Sequence, residues 1–178
     1  MPTPARTSTQ AIIAAGRMVL AREGLGGLTM EKVAAAAGVR APSLYKRLSG
    51  RPELVRLVAA DVVAEVAAAL AVAASNGDPA SDLRAMAYAL RDLAVRDPHG
   101  FGLLFQPLPA HSAPDAATYA AAVGPLLRVT SELAGPDHAL AALSERNACL
   151  LANHGLLVFG GTLEQMFALA VEFEALCE

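Results

Sequence analysis

The pattern that most constrains the fold of this chain lies in residues 29–54. Thr29 can accept a backbone hydrogen bond at the start of a helix, and Glu31 suits the positive end of that helix. Apolar residues then recur at helical spacing until Gly38, which can adopt the left-handed backbone of a tight turn. Pro42 is tolerated in the first turn of a second helix, where its missing N–H costs nothing. This order of signals predicts a helix-turn-helix.

The chemistry of the second helix and the distribution of charge indicate a surface for nucleic acid. The helix carries side chains that can donate hydrogen bonds to phosphates and base edges: Ser43, Tyr45, Lys46 and Arg47. Residues 1–56 hold nine Lys and Arg against three Asp and Glu, whereas residues 57–178 hold five against fourteen. Neutralisation of phosphates requires such a basic segment. The alternative is an ordinary solvated helical surface, since Lys and Arg usually lie outside a fold.

A set of residues between positions 12 and 54 has a characteristic spacing without insertions: Ile12-Ile13, Ala14-Ala15, Leu20, Gly24, Thr29, Val33-Ala34, Ala37-Gly38-Val39, Leu44-Tyr45, Leu48, Arg51 and Leu54. With this spacing the segment resembles the DNA-binding domain of the tetracycline-repressor (TetR) family of bacterial transcription regulators. Arg40 departs from the family pattern, in which Ser or Thr commonly caps the recognition helix. Leu48 and Arg51 stand where the family usually has an aromatic residue and a lysine.

The composition fits the architecture that this resemblance implies. The 178 residues are 54% hydrophobic, rich in Ala and poor in β-branched runs, which favours an all-α protein with a large core. The resemblance implies nine helices, with a helix-turn-helix domain over residues 1–50 and a ligand-binding and dimerisation domain over residues 51–178. Two cysteines are too few for a disulfide scaffold, and neither a signal peptide nor a membrane-spanning stretch is recognisable. We therefore expect a cytoplasmic protein.

Capping and breaking residues mark the ends of the remaining predicted helices. These helices cover residues 8–23, 51–74, 81–96 and 97–105, a stretch that begins at residue 112, and residues 137–159 and 162–178. Ser81 is expected to cap the fifth helix and Ser112 the seventh, and Thr162 with Gln165 forms a capping box for the ninth.

The helix-turn-helix suggests which residues contact DNA. We expect a first group to anchor phosphates around the recognition helix: Thr29, Tyr45, Lys46 and Arg51. We expect a second group, at the leading end of that helix, to lie near base edges: Arg40, Ala41, Pro42 and Ser43. The resemblance implies a repressor that binds a palindromic, double-stranded operator as a homodimer.

The C-terminal half carries a second, weaker resemblance. Tyr88, Arg91, Leu93-Ala94, Asp97-Pro98, Phe101, Leu104-Phe105 and His154-Gly155 resemble the effector domain of a TetR subgroup named for Trp, His and Gly in its eighth helix, although this chain has no Trp. Aromatic, apolar and polar residues could line a pocket for a small, mainly hydrophobic ligand that releases the DNA: Met86, Tyr88, Arg91, Phe101, Leu104, Phe105, Tyr119, Asn153 and His154. Each aromatic could equally be plain core.

The last two predicted helices suggest how the chain assembles. The ninth is apolar nearly all round, so it is expected to bury one face on its own domain and another on a partner. Helices eight and nine of two chains would then form a four-helix bundle. The alternative is that this apolar surface serves only the core of one chain.

No pattern in the sequence predicts catalysis. The four histidines lack metal-ligand spacing, no glycine-rich phosphate loop follows a strand, and neither cysteine has the neighbours of a nucleophile. We therefore expect no enzyme activity, catalytic residue, metal or cofactor. The remaining alternative is a helix-turn-helix protein that is controlled by a protein partner or does not respond to a ligand.

Overall fold

The computed structural model describes residues 8–134, 148–151 and 155–158. The first of these ranges forms seven helices: α1 Thr9–Gly27, α2 Met30–Ala36, α3 Ala41–Tyr45, α4 Arg51–Ala73, α5 Pro79–Arg96, α6 Pro98–Leu103 and α7 Ala116–Ala134. The other two ranges form an antiparallel pair of strands, β1 Ala148–Leu151 and β2 Gly155–Val158. The predicted all-helical architecture is therefore confirmed for residues 8–134.

Two clusters of buried side chains hold the helices together. The first joins the helix-turn-helix to α1, α6 and the first half of α4: Ile12, Leu20, Leu28, Val33, Leu44, Leu54, Val58 and Leu103 are among its members. The second joins the end of α4 to α5 and α7: Val66, Leu70, Ala74, Met86, Leu93 and Val129. Because α4 contributes to both clusters, this one helix connects the head of the molecule to its body.

The start of α1 follows the sequence prediction, and its end extends beyond it. The Ser8 hydroxyl accepts a hydrogen bond from the Ala11 amide at 3.1 Å and so caps the helix. Gly24 has a φ of +67° and interrupts the helical backbone where the sequence predicts the end of the helix. A further turn then carries the helix to Gly27.

Two predicted caps are wrong. Asp78, not Ser81, caps α5, because its carboxylate accepts the Ser81 amide at 3.0 Å and Pro79 occupies the first helical position. In the same way the carboxylate of Asp115 accepts the Thr118 amide at 2.8 Å, so α7 begins later than the predicted cap at Ser112. In both cases the cap is an Asp close to the predicted serine. Its negatively charged carboxylate accepts a backbone hydrogen bond and is favoured at the positive N-terminus of the helix.

The predicted eighth helix is wrong over residues 148–151 and 155–158. These residues form β1 and β2, with Ala148 opposite Val158 and Leu151 opposite Gly155. A short apolar run carries no period that separates a buried strand from a buried helix, and Asn153 and Gly155 belong to residue types that favour turns. The start of that helix and the whole of the predicted ninth lie outside the described residues, so the count of nine helices is not established.

At Gly16, helix α1 approaches α4 so closely that there is no room for a side chain. A Cβ atom at this position would lie 2.6 Å from Val58 Cγ2, and Val58 is fully buried. Gly26, on the same helix, has open space around the position of a Cβ atom. The two glycines therefore offer a matched test of the contact between α1 and α4.

We predict that Gly16→Val lowers the free energy of unfolding by about 1–3 kcal/mol, because the added atoms overfill a packed interface. Gly26→Val should change it by no more than about 0.5 kcal/mol. Urea denaturation of both variants measures the difference. Equal stability of the two variants would contradict the close packing of α1 on α4.

Candidate nucleic-acid interface

The helix-turn-helix forms through the residues that predict it. The Thr29 hydroxyl accepts a hydrogen bond from the Lys32 amide at 3.3 Å and caps α2. Gly38 has a φ of +69°, which gives the chain the left-handed turn between α2 and α3. Val33 and Leu44 are fully buried, so the two helices are fixed against each other and against α1 by the first core cluster.

Helix α3 has one buried face and one exposed face. Leu44 and Leu48 point into the core, whereas Tyr45 is 54% exposed and Lys46 is exposed beside it. At the leading end of the helix, Arg40 and Pro42 are exposed, and Ala41 and Ser43 are half-buried. Arg40 occupies the N-cap position without a side-chain capping bond, in agreement with the missing Ser or Thr. The predicted DNA-contacting residues of α3 are thus brought together on one surface.

Some cations of the described residues have an anionic partner, whereas those of this surface have none there. Lys32 pairs with Glu23, Arg56 with Glu53 and Arg128 with Glu132. In contrast, Arg40 and Lys46 form no ion pair within the described ranges. Positive charge that the protein leaves uncompensated is available for the phosphates of a duplex.

Arg47, which the sequence places among the hydrogen-bond donors of this helix but not among the predicted anchoring residues, is exposed and has no ion pair in the described part of the chain. The spacing of Leu44 and Leu48 agrees with this exposure. Leucines four residues apart mark the inward face of a helical turn, so the residues between them face outward.

Arg51 has a structural contact that sequence reasoning missed. Its Nε atom donates to the Leu28 carbonyl at 2.9 Å, and its Nη2 atom donates to the Leu25 carbonyl at 2.9 Å. These bonds satisfy backbone acceptors at the end of α1 and tie them to the first residue of α4. The contact depends on tertiary structure, so local sequence patterns do not reveal it.

The start of α4 is fixed on the other side by Ser49. The Ser49 amide and hydroxyl donate to Glu53 Oε2 at 2.6 and 2.8 Å. These two hydrogen bonds hold the pKa of Glu53 below its usual value. The carboxylate is therefore charged at neutral pH, where it favours the positive end of α4.

An ionic cluster connects the DNA-binding head to the body. Arg17 of α1 reaches Glu65 of α4 at 2.5 Å and Asp97, the cap of α6, at 3.1 Å. Two residues further on, His99 Nδ1 lies 3.0 Å from the Ala21 carbonyl oxygen, which it can contact only as a donor. These charged and polar contacts add to the apolar packing that Leu103 of α6 makes in the core of the head.

The structure separates the predicted ligand-contacting residues into groups. Met86, Phe101 and Leu104 belong to the second core cluster or pack against it, and the Phe101 and Phe105 ring centroids are 5.5 Å apart. Tyr88 and Arg91 lie on the exposed face of α5, and Tyr88 is 61% exposed. Tyr119 is at the surface of α7, and partial burial raises its pKa. Asn153 and His154 lie outside the described residues.

An open groove of about 700 Å³ lies between α4 and α5. It is lined mostly by alanines: Ala68, Ala69, Val72, Ala73, Ala85, Tyr88, Ala89 and Asp92. Within residues 8–134, 148–151 and 155–158, no three His, Cys, Asp or Glu side chains come together as metal ligands would. No helix among these residues is long and apolar enough to cross a membrane.

Comparison with protein families gives two matches on one chain. Residues 12–58 match the family of bacterial regulatory proteins called tetR, and residues 67–178 match the class II aldolase and adducin N-terminal domain. The chain belongs to both families, to the first through its DNA-binding head and to the second over more than half of its length. The aldolase match was not predicted from the sequence.

Solved structures of regulators share the helical fold. The crystal structure of a protein described as regulatory, SCO4313, is 28% identical and covers 80% of this chain and 73% of its own, with a TM-score of 0.59. A protein described as a TetR-family transcription regulator, from Shewanella sp. PV-4, is 17% identical and covers 79% of this chain and 72% of its own, with a TM-score of 0.53. The first similarity extends far beyond residue 58 and therefore includes helices of the body.

One curated relative matches a shorter stretch. The 5-methylthioribulose-1-phosphate/5-deoxyribulose-1-phosphate aldolase of Rhodospirillum rubrum is 53% identical over 49 residues, which make up 28% of this chain. The chain spans about a fifth of that relative's length. The predicted membership of the TetR family is confirmed, and the Trp-His-Gly subgroup stays a prediction. The chain therefore carries a TetR-family DNA-binding head, and residues 67–178 belong to the class II aldolase and adducin N-terminal domain family.

We predict that Lys46→Ala weakens binding to every duplex, because it removes a phosphate contact that carries no sequence information. The slope of log K against log salt should become shallower by about 0.9. Arg84→Ala is the matched control, since Arg84 is an exposed cation of α5 without an ion pair in the described residues. Fluorescence anisotropy at several salt concentrations measures both slopes. An equal effect of the two variants would contradict docking through α3.

Proposed function

We propose that the chain is a homodimeric repressor that binds a palindromic operator through α3 and leaves it when a small ligand binds. The unpaired cations on the exposed face of α3 are the observation that carries this proposal. A two-fold operator presents two equivalent major grooves, and a two-fold dimer presents two equivalent recognition helices. The same TetR-like head recurs in solved regulators, which supports the assignment.

On this proposal the residues of the head divide their work by position. Tyr45 and Lys46 bind phosphates from the exposed side of α3, and Arg47 extends that contact. Arg40, Pro42 and Ser43 lie at the leading end of the helix, where base edges are within reach. Thr29 and Arg51 position the backbone at the starts of α2 and α4, and any phosphate contact that they make adds to this structural role.

A ligand in the body would act on the head through α6. Phe101 and Phe105 lie on and just after this short helix, and its cap, Asp97, is bonded to Arg17 of α1. We propose that a mainly hydrophobic ligand binds beside these aromatic rings, between α5 and α7. To release DNA it must bind more tightly to the conformation in which the recognition helices no longer match successive grooves.

The proposed domains meet at the start of α4. A boundary at residue 50 is supported by Gly50, whose φ of +147° lets the chain turn between α3 and α4. The two domains share a core across this boundary, because Leu54, Val58 and Val62 of α4 pack with residues of the head. The body, residues 51–178, therefore includes one helix that moves with the DNA-binding domain.

The aldolase match supports a second candidate for the ligand. The relative from Rhodospirillum rubrum acts on phosphorylated ketoses, as its name states, and the match covers 49 residues at 53% identity. A regulator whose body derives from such an enzyme could sense a phosphorylated ketose in place of a hydrophobic compound. The same match supports a different candidate function, aldol cleavage by the chain itself. An assay with 5-deoxyribulose 1-phosphate would detect this activity as released products.

We predict that an aromatic or amphipathic ligand raises the melting temperature and dissociates the operator complex, whereas 5-deoxyribulose 1-phosphate does neither. Phe105→Ala should weaken the response roughly tenfold, because it removes apolar contact with the ligand. Val95→Ala is the control, since Val95 is 74% exposed on α5. Thermal shift and operator release are the two measurements. A response to the sugar phosphate alone, or an unchanged response in Phe105→Ala, would overturn this placement.

A further inference from the structure

The leading end of α3 carries one long side chain among three short ones. Arg40 is followed by Ala41, Pro42 and Ser43; Arg40 and Pro42 are exposed, and the other two are half-buried. The side chains of Ala and Pro have no hydrogen-bond donor, and a serine hydroxyl has one. Of these four residues, Arg40 is therefore the one whose side chain can make two hydrogen bonds to the same base.

The guanidinium of Arg40 is not engaged in capping its own helix. Arg40 is the N-cap residue of α3, with an extended backbone at φ −89° and ψ 146°, and its side chain makes no capping hydrogen bond. A Ser or Thr at an N-cap turns its oxygen back onto the amides of the helix. Because a guanidinium has donors and no acceptor, it cannot make that bond. The replacement of a cap residue by Arg thus leaves the donors of this side chain available to a ligand.

The other arginines around α3 have different surroundings. Arg51 donates to two backbone carbonyls at the end of α1, and Arg56 lies 3.8 Å from Glu53. Arg47 is exposed like Arg40 but follows the last residue of α3. Seven residues separate it from Arg40, which corresponds to about 10 Å along a helix. The two exposed arginines are therefore expected to meet different parts of a duplex.

An arginine at the tip of a helix in the major groove distinguishes guanine from the other three bases. Guanine presents two acceptors there, O6 and N7, at a spacing that matches the two parallel N–H groups of a guanidinium. Adenine combines its N7 acceptor with an amino donor, cytosine presents an amino donor, and thymine presents a single acceptor beside a methyl group. Two parallel hydrogen bonds from one arginine therefore require guanine.

We propose that Arg40 reads one guanine in each half-site, the half of the operator that one recognition helix contacts, through hydrogen bonds to O6 and N7. The inference rests on the proposed docking of α3 in the major groove, and it names the base that gives this docking its sequence preference. Lys46 and Arg47 contact phosphates, which carry no sequence information. A two-fold dimer then requires the guanine twice, once on each side of the symmetry axis.

Selection from a random pool of duplexes tests the assignment with three variants. Arg47→Ala is the matched control, since it removes the same side chain from the other end of α3. The unaltered chain and Arg47→Ala should both prefer guanine at one position of each half-site, although Arg47→Ala binds all duplexes more weakly. Arg40→Ala should lose roughly tenfold or more of that preference while it retains binding to unrelated duplexes, and Arg40→Gln should prefer adenine at that position. Retention of every guanine preference in Arg40→Ala would overturn the inference.

A change of one atom in the DNA tests the contact itself. 7-Deazaguanine has a C–H group in place of N7, whereas hypoxanthine keeps O6 and N7 and lacks the amino group in the minor groove. At the selected guanine, 7-deazaguanine should weaken binding of the unaltered chain roughly tenfold and leave that of Arg40→Ala unchanged, and hypoxanthine should affect neither. An equal loss in both proteins would overturn the inference and leave operator binding intact. An unaltered chain that selects no sequence would overturn the proposed function as well.

Discussion

The burial of one long helix, α4, is the constraint on which the rest of the molecule depends. Its first half packs with Leu54, Val58 and Val62 into the core of the head, and its second half packs with Val66 and Leu70 into the core of the body. Packed cores resist small displacements because they contain few voids. Because α4 belongs to both cores, its packing couples the position of the helix-turn-helix to that of the body.

Charge is organised around the same helix. Arg17 collects the acidic residues where head and body meet, with Glu65 and Asp97 as its closest partners. The cations at α3 form no ion pair among the described residues, so their charge is available on the surface that would face a duplex. One family supplies this head, and another matches most of the body.

The sequence predicts what depends on short-range chemistry. Thr29 and Gly38 establish the helix-turn-helix because a cap and a left-handed turn are local features. The contacts of Arg51 with carbonyls of α1 are tertiary and could not be read from neighbouring residues. The strands at residues 148–151 and 155–158 are predicted as a helix because a short apolar run has no distinguishing period. The predicted ligand residues are divided between core and surface for a similar reason, since aromatic composition does not specify which helix faces meet.

The central claim is tested most directly by selecting the sequences that the chain binds from a random pool of duplexes. The number of chains on each selected duplex is then measured. The account predicts that the full chain enriches one sequence with two-fold symmetry, with half-sites about one helical turn apart. It also predicts an even number of chains on each selected duplex, because one recognition helix α3 reads each half-site. Failure to enrich any sequence, or a single chain on an asymmetric site, would contradict a dimeric regulator that reads its operator through α3.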